Sequence, residues 1–487
     1  MSHKTNLKKN IIYSIVYHIL ALILPLITAP YVSRILGPAG IGTYSYTNSI
    51  ANYFVVFAML GLTKYGNRIV AQVKDDKYEL SKTFCNLYTL QAIVSIISIS
   101  IYSIYFIGVN QTYRTFFLIQ LIQVASVLFN ISWFFFGMEQ FKLTVTRNAI
   151  IKIISTIAIF VFVKEPQDLG IYIGITAGSL FLSNIVLWSF LFKRIKFVKP
   201  KIKQMLPHIK PLLVLFIPVI AINIYRSMSK IMITLLSDVV QTGLYENADK
   251  IVTIPLTIIT ALGTVMLPRM SNIIAKGNED MSKKYIRDSM QFVLCITIAM
   301  AFGLAAIGER FAPLYFGKSF TQTGILIQYL SPVVIITGWA NVIRTQYLIP
   351  TEKDKIYVIS VILGAVANLI LNFIFIPRYG ALGAVAGTLA AEGAVMIYQS
   401  IMTRKELPFK QYLSDNYLFL ISGGIMFGSL SLISNWLSNG YVELIILVVL
   451  GIIIYAITTF LLFYIFKRDR LEYIKSFLLK KKKKYNS

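Results

Sequence analysis

The chain is poor in acid, poor in cysteine, and without a polar stretch long enough to fold on its own. Of 487 residues only 21 are Asp or Glu, against 47 Lys or Arg. Charged residues make up 14% and hydrophobic residues 56%, with a mean hydropathy of +0.69. Soluble domains carry about 25% charged residues, so this composition excludes that class. The two cysteines, Cys85 and Cys295, sit in or at the edge of apolar runs. Two such positions give no disulfide framework and no metal-ligand spacing, and leave the role of small buried hydrophobes. No Gly-x-x-x-x-Gly-Lys-Ser/Thr loop is present to cradle a nucleotide, and no nucleophile, base and orienting residue form a recognisable motif. Neither an enzyme nor a protein with a bound cofactor is therefore expected.

What the chain does have is apolar runs about twenty residues long, the length that a ~30 Å hydrocarbon core requires of a helix. Outer-membrane barrels instead show alternating strands of about ten residues. The composition and run length predict an all-α polytopic membrane protein. Fourteen spans can be counted, near residues 11–33, 41–63, 83–107, 115–136, 148–163, 170–192, 211–236, 244–267, 289–308, 322–349, 356–376, 380–402, 416–436 and 441–466. The first run follows a basic segment, yet it is too long for a signal peptide and lacks a small-residue cleavage site, so it reads as a span. With the N-terminus inside, 37 Lys and Arg fall in inside segments and 7 in outside ones, leaving Arg226, Lys230 and Arg344 within spans. That asymmetry assigns both termini to the cytoplasm. The net charge of +26 is thus mostly topology, and no nucleic-acid partner is expected. The tail from Lys467 to Ser487, with Lys480 to Lys484 in a row, is expected to lie on anionic lipids.

Weak internal repetition organises the spans. The turn after the first closes on Gly42-Thr43-Tyr44 and the turn after the seventh on Gly243-Leu244-Tyr245. Gly137-Met138-Glu139 after span four matches Pro350-Thr351-Glu352 after span ten. Spans six and twelve carry Gly174 with Gly178 and Gly383 with Gly387, followed by Ser183 and Glu392. Six spans per repeat is even, so the halves enter the membrane in the same orientation, as two parallel six-helix lobes with a path between them. This gives 1–210 as the first lobe with its basic linker, 211–410 as the second lobe, and 411–487 as two extra spans with the tail. Close helix packing is the structural use of those glycines.

Polar residues inside the spans are the candidate site. Asn223, Arg226, Ser227 and Lys230 fall within about 100° of one another on a helix, a cationic stripe inside an apolar segment. An Arg or Lys at mid-membrane costs roughly 2.5–3.5 kcal/mol, so such residues face a wet cavity or a partner. A salt bridge between helices is the plainer reading and an anion-attracting path the sharper one. Arg344 and Asn341 in span ten, His18 in span one, Arg34 at the outer mouth, and Asn48 and Asn52 in span two extend the polar ladder. Acids in the core are few. Glu392 stands near the middle of span twelve, and Asp249 and Glu246 lie near the start of span eight, where Glu246 and Lys250 are spaced to pair.

The segment from Gly243 to Ser271, together with Pro30 to Tyr44, resembles the Wzx-type polysaccharide flippases of the multidrug/oligosaccharidyl-lipid/polysaccharide exporter superfamily, and the likeness covers essentially the whole chain. The resemblance implies translocation of an undecaprenyl-pyrophosphate-linked oligosaccharide across the bacterial cytoplasmic membrane by alternating access. Where this chain has Ser229 before Lys230, the family pattern has an acid. A lipid-linked pyrophosphate suits Lys and Arg in a partly dehydrated cavity. Driving force is expected from a coupling proton or sodium ion, with Glu392 and Asp249 as candidate carriers, or from the membrane potential; polysaccharide polymerase machinery is a candidate partner. The alternatives are a lipid II flippase, a drug/cation antiporter, for which central acids in the first six spans are missing, and a membrane polymerase, for which external loops of at most about sixteen residues are too short.

Overall fold

The computed structural model describes residues 2–109, 111–192 and 194–467, without the side chains of residues 2–22, 107, 109, 141, 218, 221, 222 and 224–226. The polybasic tail beyond Lys467 lies outside the described residues, as do the side chains of His18 and Arg226. Among the described residues the secondary structure is helical throughout. In chain order the α-helices are α1 Ser2–Met59, α2 Leu62–Val73, α3 Lys77–Tyr102, α4 Arg114–Ser126, α5 Ser132–Gly137, α6 Phe141–Phe162, α7 Leu169–Leu191, α8 Ile202–Leu236, α9 Val239–Ala275, α10 Glu279–Phe316, α11 Thr321–Leu330, α12 Pro332–Ile343, α13 Asp354–Tyr379, α14 Ala381–Met402, α15 Phe409–Ser434 and α16 Tyr441–Phe466.

Ten of these segments are long and apolar enough to cross a membrane, and α11 with α12 makes an eleventh that bends by 42°. The ten match expected spans three to six, eight, nine and eleven to fourteen. Spans one and two lie in α1 and span seven in α8, which run into or through residues whose side chains are not described. The chain is a multi-pass α-helical membrane protein, while the count of fourteen remains a sequence expectation. The bend in span ten falls at Ser331-Pro332, where the proline removes a helix donor and sits at the first position of the new helix.

Two compact units are present, Met1–Glu246 with Asn372–Ala381, and Asn247–Leu371 with Leu382–Ser487. The division expected from sequence follows repeats, whereas these units follow packing, and α8 packs against α1, α2 and α3. In the first unit one core joins Leu62 and Tyr65 of α2, Phe84 and Leu87 of α3, Trp133 and Phe134 of α5, Leu187 of α7 and Leu212 of α8. Span four is broken between α4 and α5, and the carbonyls of Val127 and Asn130 at the break accept hydrogen bonds from Gln91 Nε2 at 2.7 and 2.9 Å. The Gln91 oxygen in turn accepts from Trp133 Nε1 at 2.9 Å, so one buried amide satisfies both sides of the break. The basic linker is docked rather than loose: Lys196 N–H donates to Ser81 Oγ, Val198 N–H to Cys85 Sγ and Lys201 N–H to Asn86 Oδ1. Cys85 is buried, as expected of a small hydrophobe, and also serves as a weak acceptor.

In the second unit, α10 packs against α11, α12, α15 and α16. Asp415, buried at the start of α15, accepts from Arg287 Nε of α10 at 2.9 Å and lies 3.7 Å from Lys467 Nζ beyond α16. At the other end of α10, Arg310 donates to the carbonyls of Ser434, Leu437 and Ser438, capping the C-terminus of α15 with a cation. Glu139 and Glu352, matched by the repeat, both adopt the left-handed backbone region, with φ of 58° and 56°. Non-glycine residues rarely do so, and the coincidence supports the internal repetition.

Candidate functional site

Within the first unit, the start of span two meets the start of α9, and the contact is backbone on backbone. A Cβ added to Gly42 would lie 1.8 Å from the Val239 carbonyl oxygen, and one added to Gly243 would lie 1.9 Å from the Pro38 carbonyl oxygen. Only glycine permits this approach. The correspondence is reciprocal: Pro38 and Val239, Gly42 and Gly243, and Ser45 and Glu246 are each 201 residues apart. Each helix starts by its own device. Gly37 turns the chain at φ 65° before Pro38, and Asp238 Oδ1 accepts from Gln241 N–H at 2.8 Å before α9.

One turn beyond the glycines, Ser45 Oγ donates to Glu246 Oε2 at 2.7 Å. The same oxygen stands 2.7 Å from Lys230 Nζ, with side-chain exposures of 17% for Lys230 and 11% for Glu246. Polar residues continue around this ion pair. Ser229 Oγ accepts from Asn372 Nδ2 at 3.1 Å, Thr234 and Thr242 share a hydrogen bond of 2.7 Å, and Tyr44 packs edge-on against Tyr172 at 4.9 Å. The Gln241 oxygen accepts from Ala381 N–H at 3.1 Å, joining the start of α14 to the start of α9.

The other expected residues are distributed. Asn223 is half-buried and donates to Val219 O of its own helix at 2.8 Å. Arg34 is exposed, and Asn48 and Asn52 are half-buried along α1. In the second unit, Asn341 is buried with its amide oxygen in the space that Gly263 leaves open, and the Arg344 guanidinium lies 5.7 Å from the Tyr357 ring centroid. Glu392 is buried in α14 and Asp249 half-buried in α9. The structure gives Glu246 a partner on another helix, Lys230 of α8, that the i, i+4 spacing with Lys250 does not reveal.

Residues 7–274 match the model of a family described as polysaccharide biosynthesis protein. The chain belongs to this polysaccharide biosynthesis protein family. It is 22% identical over 399 residues to a putative O-antigen transporter of Shigella dysenteriae, covering 80% of this chain and 98% of that protein. In fold it is similar to the lipid II flippase MurJ in an inward closed conformation, with a TM-score of 0.75 at 15% identity over 95% of this chain and 99% of that one. It is also similar to an inward-facing MATE multidrug transporter, with a TM-score of 0.62 at 13% identity over 79% and 94%. The resemblance to Wzx-type flippases is borne out by these matches.

This member of the polysaccharide biosynthesis protein family holds a further cation that the sequence reading passed over. The span Lys142–Phe162 contains Lys152, which had been counted with the preceding inside segment. On the same helix, Arg147 is buried and donates from Nε to Asn148 Oδ1 at 3.1 Å, and that oxygen also accepts from Ser183 Oγ of α7 at 2.8 Å. The missed signal was spacing: Lys152 follows four apolar or amide residues, Asn148 to Ile151, and belongs with the membrane segment rather than with Lys142.

Proposed function

We propose that the chain carries an undecaprenyl-pyrophosphate-linked oligosaccharide from the inner to the outer leaflet of the bacterial cytoplasmic membrane, for surface polysaccharide export. That it is a lipid-linked oligosaccharide flippase follows from its family and its O-antigen-transporter relatives. The observation that carries the finer reading is an ion pair inside the membrane-spanning part, next to a contact that only glycines allow. A lone membrane cation costs several kcal/mol, and here Lys230 meets a carboxylate oxygen that also accepts from Ser45.

In this reading the Gly42–Gly243 contact is a closed gate, and Lys230 alternates between two anions. With the gate shut it faces Glu246. An arriving pyrophosphate competes for the ammonium, Glu246 keeps its bond from Ser45, and the contact between the two repeats loosens. Charge-assisted bonds to phosphate are strong enough to replace those to a carboxylate. Arg226 is proposed to join Lys230 at the pyrophosphate, with Asn223, Asn48, Asn52, Asn341 and Arg344 as candidate contacts for phosphate and sugar, and His18 and Arg34 along the route. Energy is proposed to come from a proton or sodium ion bound at Glu392 or Asp249, or from the membrane potential, worth ~2.3 kcal/mol per charge per 100 mV. Both termini are assigned to the cytoplasm, where the basic tail would lie on anionic lipid, and the polymerase that consumes exported units is the proposed functional partner.

The test is depletion of the protein in its host. The reading requires lipid-linked oligosaccharide to accumulate in the inner leaflet, protected from reagents added outside. Accumulation in the outer leaflet would instead point to a polymerase.

A further inference from the structure

Beyond the spans, the end of α9 and the start of α10 enclose a cleft of about 440 Å³ in the second unit. Its lining includes Arg269, Asn272, Ile273, Lys276, Met281 and Tyr285. We propose that this cleft binds the phosphate of a membrane lipid headgroup.

The Arg269 guanidinium stacks on an aromatic ring of the same cleft. It lies 4.2 Å from the centroid of the Tyr285 ring and donates one N–H to the Tyr285 hydroxyl. A guanidinium has five N–H donors in a rigid fork, so most remain for a phosphate, which accepts them in pairs. Lys276 adds a second cation across the turn, where Gly277 adopts φ 70° and reverses the chain. Among the described residues no carboxylate lies within ion-pair distance of Arg269 or Lys276, and the nearby Glu279 is taken by Lys283 at 3.2 Å. The turn is held by Asn278, whose side-chain oxygen accepts from Met281 N–H at 3.1 Å, leaving its amide nitrogen as a donor at the cleft.

The lining also fits a lipid rather than a soluble phosphate. Ile273 and Met281 give the cleft an apolar wall, suited to the first carbons beyond a headgroup. Arg269 stands two residues past Leu267, where the apolar run ends, so the cations stand where a hydrocarbon core gives way to headgroups. At 1.5 Å per residue the 37 residues of α9 reach about 55 Å, well past a ~30 Å core. Two sources supply such a phosphate, an anionic phospholipid and a polyprenyl pyrophosphate.

The experiment uses purified full-length chain in detergent, titrated with phosphatidylglycerol, phosphatidylcholine or undecaprenyl pyrophosphate and read by native mass spectrometry. The double variant Arg269→Gln with Lys276→Gln is expected to bind anionic lipid about 30-fold more weakly, from ~1 kcal/mol per cation at a membrane surface. Phosphatidylcholine binding should not change. A loss confined to phosphatidylglycerol identifies the phospholipid as the occupant, and a loss confined to undecaprenyl pyrophosphate identifies the polyprenyl lipid. Tyr285→Leu, which keeps both cations but removes the ring that orients Arg269, should fall between wild type and the double variant. Equal affinities for both anionic lipids in all three proteins overturn the proposal, as does an equal loss for phosphatidylcholine. Unchanged melting temperatures show that the variants are folded.

Discussion

Lys230 and Glu246 form a largely buried ion pair between two helices. Removing one partner of a buried pair leaves the other uncompensated, a loss of ~3–5 kcal/mol, whereas replacing both by apolar groups of similar volume is close to neutral. Lys230→Ala is therefore expected to lower both thermal stability in detergent and export. Lys230→Met with Glu246→Met should recover the stability and not the export; recovery of both would reduce the pair to a packing device. A second residue-scale prediction concerns His208, which stands before the apolar run that begins at Pro211. Its Nδ1 lies 2.7 Å from the Tyr65 hydroxyl, and burial pushes its pKa below the ordinary histidine value. The unfolded chain then binds the extra proton first, so this contribution is fully present above the ordinary histidine range and is lost as pH falls through it. Stability should decline on acidification from pH 7 to 5, and His208→Gln should flatten that part of the profile. At this scale the sequence displayed Lys230 plainly, since a cation in an apolar run stands out. Glu246 was harder, because Lys230 lies on another helix, a pairing that the local spacing to Lys250 does not reveal.

Helices carry the information that single residues do not. The match of Gly42-x-Tyr44 with Gly243-x-Tyr245 was visible as a repeat, but a repeat says only that two segments are alike. That they meet, with Gly42 against the Val239 carbonyl and Gly243 against the Pro38 carbonyl, is a long-range fact that no local pattern encodes. Gly42→Ala and Gly243→Ala each force a methyl group into a backbone oxygen, so neither variant can close the contact. External thiol reagents should label a cysteine placed at Ser45 faster in these variants than in a Gly42-Gly243 background, with Cys85 and Cys295 removed from both. Equal labelling would show that the contact is not a gate. Breaks within spans were also underread. Span ten reads as continuous in sequence although Pro332 marks its bend, and the break after α4 has no proline to announce it, only Gln91 on another helix to satisfy it.

Over the whole molecule, run length and composition alone made the helical membrane class legible, because a hydrocarbon core sets the length of every apolar segment. The topology rests on charge asymmetry and is directly testable. Cysteines introduced at Lys201 should react only from the cytoplasmic side and at Gln167 only from outside; the reverse pattern would invert the assignment. Energy coupling is tested at Glu392, where Glu392→Gln should keep cargo binding and lose the response to an imposed proton or sodium gradient. Gradient-driven export at the unmodified rate would leave the membrane potential as the driving force.

The reciprocal contact resembles the isologous interface of a two-fold dimer, in which residue i meets j and j meets i, so that positions near the axis face their own copies. In such a dimer a serine opposite position 45 would meet a serine, and a glutamate would meet a glutamate, two like charges at hydrogen-bond distance. Joining both halves in one polypeptide removes that constraint, since each copy can change alone. Ser45 opposite Glu246 is a pairing that identical subunits could not make, and it is the difference between the copies that gives this contact a charge for Lys230 to hold.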